Sequence, residues 1–569
     1  MKKSILLFAV ISVLCFLSML SYAQAPNWSW AKSAGGSGND YGYSIETDQG
    51  NGVFLNGAFT SGSLIFGTYT LMNAGDGKSD MFLVKYNTIG DVLWAENSVS
   101  MGSDWGAGIC TDAIGNVYET GVFYGSTITF GSYTLTNADN TGATCDFYLA
   151  KYDANHNVLW AKREGGTNND NVNCINKKKD SSDNVYVTGD FSSPTITFGS
   201  TTLTNAGGSD MYLAKYDANG NVVFAKSAGS SGMDFGNEVS VDASGNIYVE
   251  GDFNSPTITF GSSTLVNADS TGSTDDLFLV KYDANGNVMW AKRAGGSKTD
   301  DVWTVGNDVQ GDVYIAGKFG SPTITFGTHT LTNIDNTGNS DDFFLVKYDA
   351  NGNVVWAKSA GGNSYDWASH LNVDAGGNVT IAGSFMSATI TFGSTTLTNT
   401  DNTGNTEDIF IVQYDANGNV NWAVSTGGNG KDDGIGCSTD EFGNVYVSGF
   451  FYSPAISFGS TVLTNADNTG TTRDVFIAKF GNNTGINEIT NPPNISIFPN
   501  PAMDQLTIET SATPIQSQLS IINLTGQALI SLQVTQHKTV IDIRTLPSGV
   551  YFLRVTNDKT VEVGKFIKQ

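Results

Sequence analysis

The chain has 569 residues, 66 of them Gly and only 11 Pro, an aromatic content of 11%, and a net charge of −26. The stretch from Asn482 onward is neutral and the first 25 residues carry +2, which leaves about −28 on the middle of the chain. A surface of that sign repels nucleic acid and anionic lipid and excludes both as partners.

The chain opens with Lys2 and Lys3, an apolar run from Ile5 to Leu20, and the small-residue site Ser21-Tyr22-Ala23. That is the pattern of a secretory signal peptide, residues 1–23. Cys15 lies inside the apolar run rather than at its end, which argues against a lipid-anchored cysteine. No other segment is apolar enough to span a membrane.

A repeat then fills residues 25–481. Tryptophan recurs at Trp30, Trp94, Trp160, Trp290, Trp356 and Trp422, with Phe224 in the same slot, at intervals of 64, 66, 64, 66, 66 and 66 residues. Such regularity is the mark of a repeat architecture. In the unit from Asp234, Asn237–Asp242 and Ile247–Phe253 read as strands joined by a turn at Ala243-Ser244-Gly245-Asn246. Thr257–Asn267 reads as a short extra hairpin. Leu277–Tyr282 and Val288–Lys292 are a third and fourth strand, joined by Asp283-Ala284-Asn285-Gly286-Asn287, where Asn and Gly accept positive φ. Four antiparallel strands repeated seven times predict a β-propeller.

The two ends of the array are offset. It begins with Asn27-Trp28-Ser29-Trp30-Ala31-Lys32, a fourth strand without a third. It ends with Asp474–Phe480, a third strand without a fourth. A ring gains closure from this offset, because the first strand completes the last blade and removes two exposed edges. The expected fold is therefore all-β, a seven-bladed propeller closed by its N-terminal strand, with Trp30 beside Phe476.

The pattern Asp112-Ala113-Ile114-Gly115-Asn116-Val117-Tyr118 returns as Asp440-Glu441-Phe442-Gly443-Asn444-Val445-Tyr446. In this it resembles the bacterial SBBP propeller repeats, and more loosely NHL-type propellers. That resemblance implies a fold and leaves the activity open, since propellers host many functions.

Residues 482–494 read as a linker. Seven short strand signals between 495 and 569 predict a small immunoglobulin-like β-sandwich. This tail carries Phe498-Pro499-Asn500-Pro501, Leu524-Thr525-Gly526, Leu546-Pro547-Ser548-Gly549-Val550-Tyr551 and Gly564-Lys565-Phe566. Through these motifs it resembles the type A C-terminal sorting domain of the Bacteroidota type IX secretion system. Pro499, Asn500, Pro501, Gly526, Gly549 and Lys565 are its motif residues here. The resemblance implies secretion through the periplasm to the outer cell surface, with the secretion machinery as partner.

Candidate sites in the repeats follow from position. An Asp lies ten residues after each tryptophan slot: Asp40, Asp104, Asp170, Asp234, Asp300, Asp366 and Asp432. In the propeller these loops approach the central channel. Seven carboxylates facing it would hold a hard cation such as Ca²⁺; the other reading is that each caps its own Gly-rich loop. Tyr41, Trp105, Phe235 and Trp367 follow that Asp, and Trp303 lies nearby, a set able to stack on a sugar or peptide or to fill core. The hairpins share a face with the Asp loops, so one face is expected to be decorated and the other plain, with the ligand on the decorated one. Cys110, Cys145, Cys174 and Cys437 show no paired spacing. The four histidines are scattered and no catalytic motif appears, so no enzyme is expected. The expected role is binding or scaffolding at the cell surface, for a glycan, peptide or surface protein. A glycan-active hydrolase or lyase using carboxylates at the channel mouth, and an adhesive structural protein without a pocket, are the alternatives.

Overall fold

The computed structural model describes residues 27–569 apart from 49, 51, 76, 176–182, 270, 336–338, 402, 482–494, 511–516, 524–527, 535 and 557–560. The signal-peptide stretch, the linker 482–494 and Gly526 lie outside the described residues. The chain divides into two compact units, Met1–Asn482 and Asn483–Gln569.

The first unit is all-β among its described residues and contains seven four-stranded antiparallel sheets, numbered here in chain order. Sheet 3 is typical, with strands Asp170–Ile175, Val185–Phe191, Asp210–Tyr216 and Val222–Ala228 in spatial order from the inner to the outer edge. The second and third strands are buried along their whole length, as a strand covered on both faces requires. The fourth strand is mostly half-buried or exposed, with Ala225 and Ala228 buried. In sheet 7 the first three strands are Asp432–Thr439, Val445–Phe451 and Asp474–Gly481, and the fourth is Asn27–Ala34 from the start of the chain.

Apolar clusters join neighbouring sheets. Tyr314 and Phe343 of sheet 5 pack with Ile381 and Phe410 of sheet 6. Tyr446, Val475 and Ala34 of sheet 7 pack with Leu55 and Phe82 of sheet 1. The first strands of consecutive sheets also lie side by side, that of sheet 7 against that of sheet 1.

Two expectations change. Trp30 sits opposite Lys479, and it is Ser33 that faces Phe476; a bulge between Trp28 and Trp30 accounts for one residue of that offset, from Ala478 to Lys479. It is Trp28 that packs on Phe458 and Phe480, at 4.7 and 5.0 Å between ring centroids. The extra hairpins also lie down instead of standing on a face. In Thr195–Phe198 and Thr201–Thr204, Ile196, Phe198 and Leu203 are buried in the core and the threonines point outward. The hairpin covers the outer strand of its own sheet.

The second unit holds two sheets of three and four strands around a core that includes Leu506, Leu519, Ile541, Leu553 and Phe566. Asn500 ties its two ends together. Its side-chain amide donates to Lys565 O (3.1 Å), and its Oδ1 accepts the Ile567 N–H (2.9 Å). The Pro499-Asn500-Pro501 motif thus grips the backbone of the last strand. Gly549 opens the preceding strand, which pairs along its length with that last one.

Candidate functional site

The seven aspartates come first, because they fix the loops around the mouth. Each opens an inner strand and is fully buried. Six of them are capped by a serine from the end of the neighbouring strand. The Ser321 hydroxyl donates to Asp300 Oδ2 (2.8 Å) and the Ser321 N–H to Oδ1 (3.0 Å). Ser61, Ser193, Ser255, Ser387 and Ser453 donate in the same way to Asp40, Asp170, Asp234, Asp366 and Asp432. In sheet 2 the serine is replaced by Gly125, and Ser98 donates to Asp104 instead (3.1 Å). The structure therefore places these carboxyls inside their own loops, not in a ring open to the channel. Among the described residues no three His, Cys, Asp or Glu side chains group as a metal site. Burial, the largest cause, raises Asp300, Asp366 and Asp432 to about 7, which disfavours the charged form a cation would need.

The backbone N–H of each of these aspartates binds the preceding sheet. Asp104 donates to Ser79 O (2.7 Å), Asp300 to Asp275 O (3.0 Å) and Asp432 to Glu407 O (2.9 Å). Asp40 makes the same bond to Arg473 O (2.9 Å), across the junction of sheets 7 and 1. A second buried series, such as Asp342, opens the third strands and accepts a loop N–H, here from Ile334 (2.8 Å). Gly361 lies against it, so that a Cβ there would come within 2.1 Å of the carboxyl. The glycines of the Ala-Gly-Gly runs are explained by this close approach.

The tryptophan slot makes the outer seam. Trp160 Nε1 donates to Ala218 O in the turn of the next sheet (3.3 Å), and Trp290 and Trp356 bond Ala350 O and Ala416 O likewise. Trp30 donates to Thr88 O (3.0 Å) in sheet 1. In sheet 2 His156 occupies the turn position that is glycine elsewhere. It takes φ +71°, stacks on Trp94 at 3.8 Å and places Nε2 2.9 Å from Glu96.

The sequence-predicted aromatics are all half-buried, and the structure divides them. Trp303 and Trp367 meet edge to face at 6.5 Å. Tyr41 joins Phe450 (5.5 Å) and lies under the Arg473 guanidinium (4.2 Å). Trp105 pairs with Tyr124 (5.5 Å). Phe235 lies next to Asp234 on the inner strand of sheet 4, opposite Asp252 in the ladder.

A cavity of about 470 Å³ lies among all seven inner strands, with Tyr43, Trp105, Asn173, Glu238, Trp303 and His370 in its wall. Its charges are concentrated on sheets 4 to 6. His370 Nδ1 accepts the Cys437 N–H (3.2 Å), which leaves the proton on Nε2, 3.3 Å from Glu238 Oε1. Glu238 Oε2 accepts the Val305 N–H (2.7 Å). Glu250 faces Glu238 directly across the ladder. Neither oxygen of Glu250 makes a side-chain hydrogen bond, and burial, then the nearby Asp252 and Glu238 charges, hold its carboxyl well above the usual range. Towards the mouth, Asp252 accepts the Val302 N–H (2.9 Å) and the Asn237 amide (2.5 Å). Lys318 lies 2.8 Å from Asp341, 3.4 Å from Asp301 and over the Trp303 ring at 5.4 Å. Burial, and then the Asp301 charge, raise Asp252. The sites at Tyr124, Asp252, Lys318 and Arg473 escape a search for motifs. Their signal is variation at one position of the repeat: where Asp252 stands, the other sheets have Ala58, Val122, Asp190, Lys318, Ser384 and Phe450. The four cysteines are buried and unbridged. Asp401 accepts the Thr403 and Thr406 hydroxyls of its own loop.

Residues 496–569 match the secretion system C-terminal sorting domain. The protein is accordingly secreted and attached at the cell surface by the type IX system, with whose machinery the tail interacts. The chain is 25% identical over 476 residues to an uncharacterized WD repeat-containing protein of Acanthamoeba polyphaga mimivirus, covering 77% of this chain and 31% of that protein. It is 32% identical over 108 residues to the regulatory protein FlaEY of Caulobacter vibrioides, covering 19% and 11% respectively. It thus spans about a third of the first relative and a tenth of the second. Similar solved structures include Sqt1 from Chaetomium thermophilum, at 8% identity, 80% and 98% coverage and TM-score 0.38. They also include PorZ, a surface component of the type IX secretion system of Porphyromonas gingivalis, at 10% identity, 95% and 100% coverage and TM-score 0.17.

Proposed function

We propose that the seven sheets are the blades of one closed, SBBP-like propeller, held by Asn27–Ala34, and that this propeller is a binding module displayed at the cell surface. In this reading residues 1–23 are the export signal, 25–481 the propeller, 482–494 a linker and 495–569 the sorting domain. The ligand, a glycan, a peptide or a surface protein, meets the mouth at the start of the inner strands.

The observation that carries the reading is the contrast between constant and varied positions. The first residue of every inner strand is a buried Asp doing the same structural task. The second is Tyr41, Trp105, Asn171, Phe235, Asp301, Trp367 and Asp433 in turn. A scaffold position repeats, whereas a recognition position breaks the symmetry of the repeat. The half-buried aromatics there offer large, rigid contact area at small entropy cost. The carboxylates of the mouth are engaged in ion pairs and backbone hydrogen bonds, which favours binding over hydrolysis as the primary role.

The test is a glycan and peptide array with the secreted protein, run with and without Ca²⁺. The reading expects saturable binding to one class, reduced at least tenfold by at least one of Trp105→Ala, Trp303→Ala and Trp367→Ala. No binding on either array, in either buffer, sinks it in favour of a structural role.

A further inference from the structure

Sheet 2 departs from the repeat where the mouth widens between it and sheet 1. A groove of about 550 Å³ opens there, with Trp105 and Tyr124 as its aromatic wall and Lys78, Ser103, Asn140 and Thr141 among its polar contacts. The corresponding groove at sheet 6 has a similar volume, about 580 Å³, and no aromatic ring in its lining. The two grooves overlap without coinciding: Ser364, Ser387 and Thr403 match Gly102, Gly125 and Thr141, whereas Trp367, the counterpart of Trp105, lies outside the sheet 6 lining.

The aromatic wall required rebuilding. Gly125 replaces the serine that caps the inner-strand aspartate in the other six sheets. The backbone closes over that spot, since a Cβ on Gly125 would lie 2.3 Å from Met101 O and one on Gly102 2.6 Å from Gly125 N. Gly102 takes φ +129°, which favours glycine. Val99–Ser100 becomes an added strand on Thr127–Phe130, in the one three-stranded hairpin sheet among the described residues of this unit. Tyr124 stands where sheet 6 has Met386, and Trp105 where sheet 3 has Asn171.

We infer that this groove is a saccharide-binding site taking a short chain of pyranose units. This deepens the binding-module reading and rests on it. An indole and a phenol ring with centroids 5.5 Å apart and planes tilted by 44° form an angled wall. The apolar C–H face of an equatorially substituted pyranose packs on such a wall, and its hydroxyls reach the Ser, Asn and Thr side chains opposite. The volume lies within the range that holds a small ligand. Although the chain has 55 acidic residues, no carboxylate lines the groove among the described residues and Lys78 does. The site thus accepts neutral and carboxylated sugars and disfavours cationic ones.

The experiment is calorimetric titration of the full secreted protein with cellotriose, chitotriose and β-1,4-galactotriose. The variants are Trp105→Asn and Tyr124→Met, each a residue that another sheet already accommodates at that position, with Phe442→Ala, an exposed ring in a turn of sheet 7, as control. Binding of at least one trisaccharide that weakens tenfold or more in both groove variants and stays unchanged in Phe442→Ala supports the site. It is overturned if the wild type binds none of the three, or if the groove variants bind as the wild type does. If the array detects a ligand that depends on Trp303 or Trp367 and not on Trp105, the groove fails while the binding module stands. If neither array nor titration detects binding, both fail.

Discussion

Replacing Trp30 by Ala perturbs the junction of sheets 7 and 1 at a point with a counterpart inside the array. Trp30 donates to Thr88 O (3.0 Å), lies 6.1 Å from the Tyr446 ring and packs on Gly90, while Lys479 Nζ reaches the same carbonyl (3.3 Å). Trp160, between sheets 2 and 3, donates to Ala218 O (3.3 Å), lies 6.0 Å from Tyr118 and packs on Gly220, with Lys151 Nζ on the carbonyl (3.2 Å). Both tryptophans are half-buried. Truncating a buried Trp costs about 3–5 kcal/mol and a hydrogen bond about 1. Half burial brings the total for each site to about 3 kcal/mol. In a closed ring, Trp30→Ala and Trp160→Ala shift the urea midpoint of the cooperative transition by the same amount, because both open the same kind of seam. In an open array the first strand frays alone, and Trp30→Ala leaves the midpoint where it was. A shift for Trp160→Ala without one for Trp30→Ala refutes the reasoning.

Other outcomes follow from buried charge. Burial raises Asp300, Asp342, Asp366 and Asp432 to about 7, and Asp40, Asp234 and Asp276 to about 6, from 3.8. Between those values the native chain binds protons that the unfolded chain has released, so stability falls as pH rises from 4 towards 7 and levels off above. At 1.36 kcal/mol per pH unit, about 4 kcal/mol is the ceiling for one such group. The turn aspartates Asp283, Asp349 and Asp415 have lowered values and act in the opposite sense below pH 4. Thermal scans should give a higher Tm at pH 5 than at pH 8, and a Tm that climbs across that interval contradicts the assignment. Lys318→Gln removes the cation between Asp301 and Asp341 and should destabilise by about 3 kcal/mol in urea unfolding; an unchanged midpoint would separate Lys318 from these carboxylates. Deleting residues 483–569 should leave the protein in the periplasm, as cell fractionation would read. Surface delivery of the truncated chain contradicts the role of the tail.

The architecture was legible because it is written in spacing. The offset between Asn27–Lys32 and Asp474–Phe480 pointed to the pairing that sheet 7 displays. In the tail, Ile495–Phe498 and Ala528–Val534 are among the strands that the signals between 495 and 569 announce. Side-chain direction was less legible. Trp30 lies opposite Lys479 and not Phe476, and the one-residue bulge beside it recurs next to Trp94, Trp160, Trp290, Trp356 and Trp422, where pairing and not residue type reveals it. The seven aspartates look alike as ligands or as caps until the serines that bind them are located 21 to 23 residues away. Glu250 sits in an apolar second strand, where its composition says nothing of the Glu238 carboxyl opposite. The groove at Trp105 depends on Gly125, which resembles any loop glycine until the serines of the other sheets are set beside it.

Backbone hydrogen exchange at Asn27–Ala34, read against Val158–Glu164 of sheet 2, tests ring closure most directly. Both are outer strands paired on one side, to Asp474–Gly481 and Asp146–Tyr152. Closure by the first strand predicts that their hydrogen-bonded amides exchange at matching rates. Exchange of 27–34 at the rate of an unstructured chain, with 158–164 protected, would contradict it.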